Sequence, residues 1–275
     1  MNRIFYLAIS LIFFACTGKK NNAPEPSNAP EYIILESENV DLSSFTKDKD
    51  GYIILFDGKT TKGWRGYGRD YLPEDWMITD GCLTLNHNGN IGGDIIFTYK
   101  FKDFELEIEW KIPKGGNSGI FYLAREVKAK DIVSGEYELQ PMFISAPEYQ
   151  ILDNDNHADA KLGKNGNRKS GSLYDMIAAE PQTANPYGEW NHTRIRVEKG
   201  NVAHWLNGAK VVEYSLVGQP WVDLLQSGKF GQTKWPLAFE LMKDHGEKNH
   251  EGYIGLQDIG DDISFRNIRI KIIDL

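Results

Sequence analysis

The chain reads as an all-β fold, two antiparallel sheets packed as a sandwich or jelly roll, and three features of the sequence predict it. Residues 104–112 (FELEIEWKI) alternate without a break, so Phe104, Leu106, Ile108 and Trp110 share a dry face if Glu105, Glu107, Glu109 and Lys111 share a wet one. Residues 191–198 (NHTRIRVE) alternate too; Lys199-Gly200-Asn201 then turns the chain into 202–207, and Asn207-Gly208 turns it again into 209–214. Asn-Gly between two alternating runs is a strong local hairpin signal, because both residues tolerate the left-handed turn conformation. Sustained helical periodicity is nearly absent, with one short helix expected at 220–226.

The elements follow in order. Residues 1–16 carry Arg3, an apolar run from Ile4 to Phe14 and Ala15-Cys16, the pattern of a bacterial lipoprotein signal cleaved before Cys16 and acylated on it. Residues 17–30 (TGKKNNAPEPSNAP) have the composition of a flexible tether. An irregular lead-in is expected at 31–50 and the sandwich at 51–275. Within it, strands are expected at 52–56, 76–79, 82–85, 119–123, 148–152, 252–257 and 263–273. Residues 153–172 and 220–248 interrupt this rhythm and are expected as long loops over a site.

Composition narrows the function. A chain of 275 residues with 41% hydrophobic and 25% charged content can bury one large core. Its net charge of −8, with no basic block beyond Lys19-Lys20, argues against a nucleic-acid partner. With Cys16 acylated, Cys82 has no disulfide partner, so the core alone must hold the fold. The membrane is then met only through the lipid, in the outer membrane, and the lack of an acidic cluster directly after Cys16 favours the periplasmic face.

Residues 147–167 (PEYQILDNDNHADAKLGKNGN) are the most informative stretch. In an extended 148–152, Tyr149 and Ile151 point into a core, while Glu148 and Gln150 point the other way and can meet a ligand. The acidic turn that follows suggests calcium but fails as an EF-hand, since Ala158 and Lys164 stand where Gly and Glu are needed. No cofactor is expected, although a divalent cation of another geometry stays open. Only His245 and His250 are close enough in sequence to suggest a metal pair, and no Gly-x-Ser-x-Gly elbow announces a serine nucleophile. Laminarinase-like glucanases carry Glu-x-Asp-x-x-Glu on such a strand; this chain has Glu148-x-Gln150-x-x-Asp153. Gln150 cannot ionise and Asp153 has the wrong parity, so this strand supplies no carboxylate pair for a retaining glycosidase.

Eight segments together carry a family resemblance: LFDGKTTKGWRGY (55–67), WMITDGCL (76–83), GGDIIFTYKFKDFELEIEWKI (92–112), GNSGIFY (116–122), PEYQILDNDNHADAKLGKNGNRKSGSLYDMI (147–177), GEWNHTRI (188–195), HWLNG (204–208) and GYIGLQDIGDDISFRNIRIK (252–271). In these the chain resembles the 3-keto-disaccharide hydrolase family. The resemblance implies a concanavalin A-like jelly-roll sandwich with a concave sugar site, acting on glycosides already oxidised at C3. The chain departs from the family pattern at Ile259, where members usually have His, and at Leu123, where many have Arg; the nearest arginine here is Arg125.

That chemistry suits a site with one acid. A ketone at C3 acidifies the C2 hydrogen, so a single base can remove it, the C1 aglycone leaves, and water adds back. Glu148 is expected as the base, with Tyr174 or His157 as proton donor to the leaving oxygen. Gln150, Gln257, Asn117, Arg125 and Asp175 are expected at the substrate, an oligosaccharide or 3-keto-glycoside. Two alternatives stand beside this reading. One is a non-catalytic carbohydrate-binding lipoprotein with an aromatic platform of Trp64, Tyr67 and Trp235. The other is a direct glycosidase pairing Glu148 with Asp175 or Asp258.

Overall fold

A computed structural model describes residues 30–87, 92–246 and 251–273. Among these residues the chain forms sixteen strands: β1 (Tyr32–Ile34), β2 (Ile53–Ile54), β3 (Trp64–Gly66), β4 (Trp76–Thr79), β5 (Cys82–Leu85), β6 (Ile95–Phe101), β7 (Phe104–Lys111), β8 (Asn117–Ala124), β9 (Val127–Lys130), β10 (Tyr137–Leu139), β11 (Glu148–Leu152), β12 (Asn191–Glu198), β13 (Asn201–Leu206), β14 (Ala209–Ser215), β15 (Gly252–Leu256) and β16 (Ile263–Ile272). Helix α1 (Gln219–Ser227) is the short helix expected at 220–226, and α2 (Pro236–Met242) falls in the remainder of the segment expected as a loop. The signal, tether and Cys16 lie outside the described residues.

The architecture is the antiparallel sandwich expected. One sheet runs β14-β13-β12-β7-β16-β5-β4, with β2 also paired to β16; the other runs β11-β8-β15-β6-β3. A small third sheet, β1-β9-β10, uses part of the lead-in. In β7 every second residue is buried, and Leu106, Ile108 and Trp110 share one core with Phe97, Ile120, Tyr149, Ile151 and Ile254 of the facing sheet. Each such side chain contributes about 1.5–3 kcal/mol on leaving water. On the wet face, Glu105, Glu107 and Glu109 meet Arg196, Arg269 and Arg266 at 3.3, 2.6 and 2.7 Å. These partly exposed pairs fix register more than they add stability.

A buried polar link joins the sheets. Tyr122 of β8 lies 2.8 Å from His204 Nε2 of β13, while His204 Nδ1 is 3.0 Å from the Gly171 carbonyl. Burial holds His204 neutral by pulling its pKa down to about 4, so Nδ1–H donates to Gly171 and Nε2 accepts from Tyr122.

The strand carrying Glu148 differs from expectation in one respect: all five residues of β11 are buried, on both faces. The outer face of its sheet is roofed by residues 141–146, whose Met142 and Ala146 pack on Ile96, Phe121 and Tyr253 in a second apolar cluster. At the edge of that roof the packing stops and a polar cavity opens.

Candidate active site

The cavity has a volume of about 300 Å³ and is lined by Asp94, Asn117, Pro141, Phe143, Glu148, Gln150, Tyr174, Lys229, Gln257, Asp258 and Ile259. Strand periodicity assembles its floor. Glu148 and Gln150 share one face of β11, and β8 lies beside it with Glu148 opposite Phe121 and Gln150 opposite Gly119. Gln257 follows β15, where its backbone N–H donates to the Gly119 carbonyl at 3.0 Å.

Gly119 makes room for the acid. A Cβ on this residue would lie 2.6 Å from Glu148 Oε1 and 3.0 Å from its Cγ, so only the missing side chain lets the carboxyl lie across β8. Glu148 is 7% exposed, and burial pushes its pKa up to about 7 against the opposing pull of the Lys229 cation. Turning the Gln150 amide so that Nε2 faces Glu148 Oε1 at 3.2 Å and the Ser118 carbonyl at 3.1 Å satisfies donors and acceptors together. Gln257 Oε1 is buried and takes no hydrogen bond from the protein, and an acceptor so placed is suited to a sugar hydroxyl.

The long loop reaches the site by doubling back along β11. The Tyr174 N–H donates to the Glu148 carbonyl at 3.0 Å, and the Gly171 N–H to the Gln150 carbonyl at 2.9 Å. Tyr174 then lines the cavity with its hydroxyl donating to Asp159 Oδ2 at 2.9 Å. Arg168 clamps Asp159 and Asp175, each at 2.7 Å. Burial and the Asp159 carboxylate hold the Tyr174 phenol protonated well above the ordinary range. Its proton is therefore directed at Asp159 and turned from the cavity.

Two site residues were not anticipated. Lys229, just beyond α1, sits 4.3, 5.1 and 4.7 Å from the ring centres of Tyr174, Phe143 and Phe230. Burial lowers its pKa while Glu148, Asp175 and Asp159 favour its charge. Asp94 precedes β6; burial raises its pKa to about 7, the Asp258 N–H donates to its Oδ1 at 2.9 Å, and the Asp258 charge adds to the rise. Asp258 itself is used structurally, with Oδ2 accepting from the Gly93 N–H at 2.8 Å and Oδ1 from the Gly260 N–H at 3.0 Å. Neither Lys229 nor Asp94 belongs to a spacing motif. The available signals were an acid against an apolar run (Gly-Gly-Asp-Ile-Ile-Phe) and a lysine beside Phe230.

Of the expected residues, Glu148, Gln150, Tyr174, Gln257 and Asn117 come together. His157 and Arg125 do not. His157 Nδ1 accepts from the Asp159 N–H at 3.1 Å and caps a short 3-10 turn, so that ring nitrogen is engaged within its own loop. Arg125 is buried and donates to the Leu241 carbonyl, tying the end of β8 to α2. Asp175 lines the neighbouring groove. Ile259 stands half-exposed at the cavity lip, and Leu123 is buried with φ 56°, locked in the core. Among the described residues no three His, Cys, Asp or Glu side chains cluster to hold a metal. Asp153 is instead a loop cap, taking the Gly115 N–H at 2.7 Å and the Asn156 amide at 2.8 Å. The aromatic platform does not assemble, since Trp64 and Tyr67 are buried and donate to the Leu55 and Arg125 carbonyls.

Fold and cavity together define a β-sandwich protein with a polar pocket floored by one buried acid. Residues 51–271 match the family described as the 3-keto-alpha-glucoside-1,2-lyase-like domain, and the chain belongs to that family. It is 54% identical to a 3-keto-disaccharide hydrolase of Bacteroides thetaiotaomicron, with the whole of both chains covered. Among solved structures it is similar to two candidate glycosyl hydrolases of Parabacteroides distasonis. One is 29% identical with a TM-score of 0.65, covering 82% of this chain and 95% of that one. The other is 26% identical with a TM-score of 0.55, covering 81% and 99%.

Proposed function

We propose that this protein hydrolyses 3-keto-disaccharides, with Glu148 as the base that removes the C2 proton. The observation that carries the reading is the placement of Glu148: a carboxyl with a pKa near 7, on the floor of a pocket that also holds a cation. A base of that pKa is half ionised at neutral pH and strong enough to take a proton from carbon beside a ketone. As the C2–H electrons move toward C3, charge builds on the ketone oxygen, where Lys229 and the amides of Gln257 and Asn117 can stabilise it, while the Gln150 amide holds the Glu148 carboxyl in place. That charge then returns to form the C1–C2 double bond, and the C1–O bond breaks to release the second sugar. Water adds its hydroxyl to C1 and a proton returns to C2, so the sum is hydrolysis. Tyr174 serves by holding Lys229 against its ring. Asp94, half protonated near pH 7, is the better donor to the departing oxygen.

The 54% identical relative, named a 3-keto-disaccharide hydrolase, supports the substrate class. The test is turnover by wild type and Glu148→Gln of a 3-keto-disaccharide and of its unoxidised parent. Cleavage of the keto form alone, lost in the variant by at least about a hundredfold, is expected. Cleavage of the unoxidised sugar would favour a direct glycosidase, and binding of both without cleavage a carbohydrate-binding protein. The Cys16 sequence pattern supports a lipid anchor for the same domain, in the outer membrane and facing the periplasm. Cys16→Ser should then leave the membrane fraction, and retention there would count against the anchor.

A further inference from the structure

We propose that the groove beside the catalytic pocket is the binding site for the sugar that leaves, with Trp235 as its platform. This rests on the reading above and adds where the second ring goes. The catalytic pocket, at about 300 Å³, is at the lower limit of the roughly 300–1,000 Å³ of small-molecule sites. It suits one ring better than two. A larger groove of about 700 Å³ adjoins it, and Lys229 lines both. A disaccharide whose oxidised ring meets Glu148 can send its other ring past Lys229 into this groove.

The groove is built for a sugar. Lys164, Asn165 and Lys234 offer polar contacts to hydroxyls, while Met176 and Trp235 offer apolar surface to ring C–H groups. Trp235 is 38% exposed, unusual for a tryptophan in a chain whose Trp64, Trp76, Trp110 and Trp221 are buried. Its ring is held edge-on by Phe143 at 5.1 Å and supported by Phe230 at 6.3 Å. Phe143 also lines the catalytic pocket, so the platform and the catalytic pocket share a wall. At the groove's inner edge Asp175 is fixed by Arg168 at 2.7 Å, which keeps the strip between the two spaces rigid.

The experiment compares a 3-keto-disaccharide with methyl 3-keto-glucoside, whose aglycone is too small to reach the groove. In wild type the disaccharide should have the higher kcat/KM. Trp235→Ala should lower the ratio of the two values roughly tenfold, the effect of losing one well-placed apolar contact, and Trp235→Phe should recover most of it. Free glucose should inhibit wild type competitively and the alanine variant more weakly. Equal kcat/KM on the two substrates in wild type would overturn the subsite without any variant, as would an alanine variant that lowers both values equally, the mark of a merely structural tryptophan. A wild type that cleaves neither substrate would instead overturn the base assignment, and the subsite with it.

Discussion

Replacing Gly119 with alanine should disable the protein while leaving it folded. Gly119 lies in β8 outside the left-handed region, so its backbone accepts a side chain without strain. The added Cβ would stand 2.6 Å from Glu148 Oε1, 3.0 Å from Cγ and 3.1 Å from Cδ. Atoms in such contact must separate by roughly 1 Å, and the end of the glutamate is the part free to move. A displacement of that size at a reacting group costs about a hundredfold in rate. The conformational gain of alanine over glycine in a strand, about 0.5–1 kcal/mol, offsets part of a packing cost of about 1–3 kcal/mol. The assay pairs kcat on a 3-keto-disaccharide with thermal unfolding. Wild-type turnover in a folded Gly119→Ala protein would refute the reasoning, because the carboxyl would then not need the position it occupies.

Further predictions follow from the charges in the pocket. The rate should fall at high pH as Asp94, raised to about 7, loses the proton it donates, and on the acid side it should rise with pH through an ionisation near 7, since Glu148 acts as its carboxylate and burial raises its pKa to about 7. Lys229→Met removes the cation that favours that carboxylate, so this limb should move to higher pH; a limb that stays put would show Lys229 electrostatically remote. Stability should show the converse: Glu148 binds its proton more tightly folded, near 7, than unfolded, at 4.5. Below pH 4.5 both states are protonated and there is no cost, whereas from 4.5 up through 7 the folded state loses up to about 3 kcal/mol. Glu148→Gln should therefore unfold at a higher temperature than wild type at pH 8, by roughly 2–4 °C per kcal/mol recovered, and at about the same temperature at pH 4. An equal gap at both pH values would contradict a buried, ionising carboxyl.

The sandwich was legible wherever one face of a strand is dry and the other charged. FELEIEWK in β7 and NHTRIRVE in β12 alternate in burial as they alternate in sequence. Strand β6 (IIFTYKF) escaped notice because its first three residues are buried together and break the alternation. Helix α2 escaped because five of its seven residues are buried, leaving it little polar face. In the site, strand parity alone put Glu148 and Gln150 on one face, and the same parity placed Gln257 with them. Lys229 and Asp94 could not be read this way, since they reach the pocket through the docking of α1 and the β3–β6 edge. His157 and Arg125 were proposed from nearness in sequence, and the fold turns both to structural work.

The central claim is that a proton leaves C2 to the Glu148 carboxylate before the glycosidic bond breaks. Running the reaction in deuterium oxide and reading the released 3-keto sugar at early times tests it most directly. The account predicts one deuterium at C2, above the exchange of free 3-keto-glucose in a control, with both label and cleavage lost together in Glu148→Gln. A product that retains only hydrogen at C2 would contradict it.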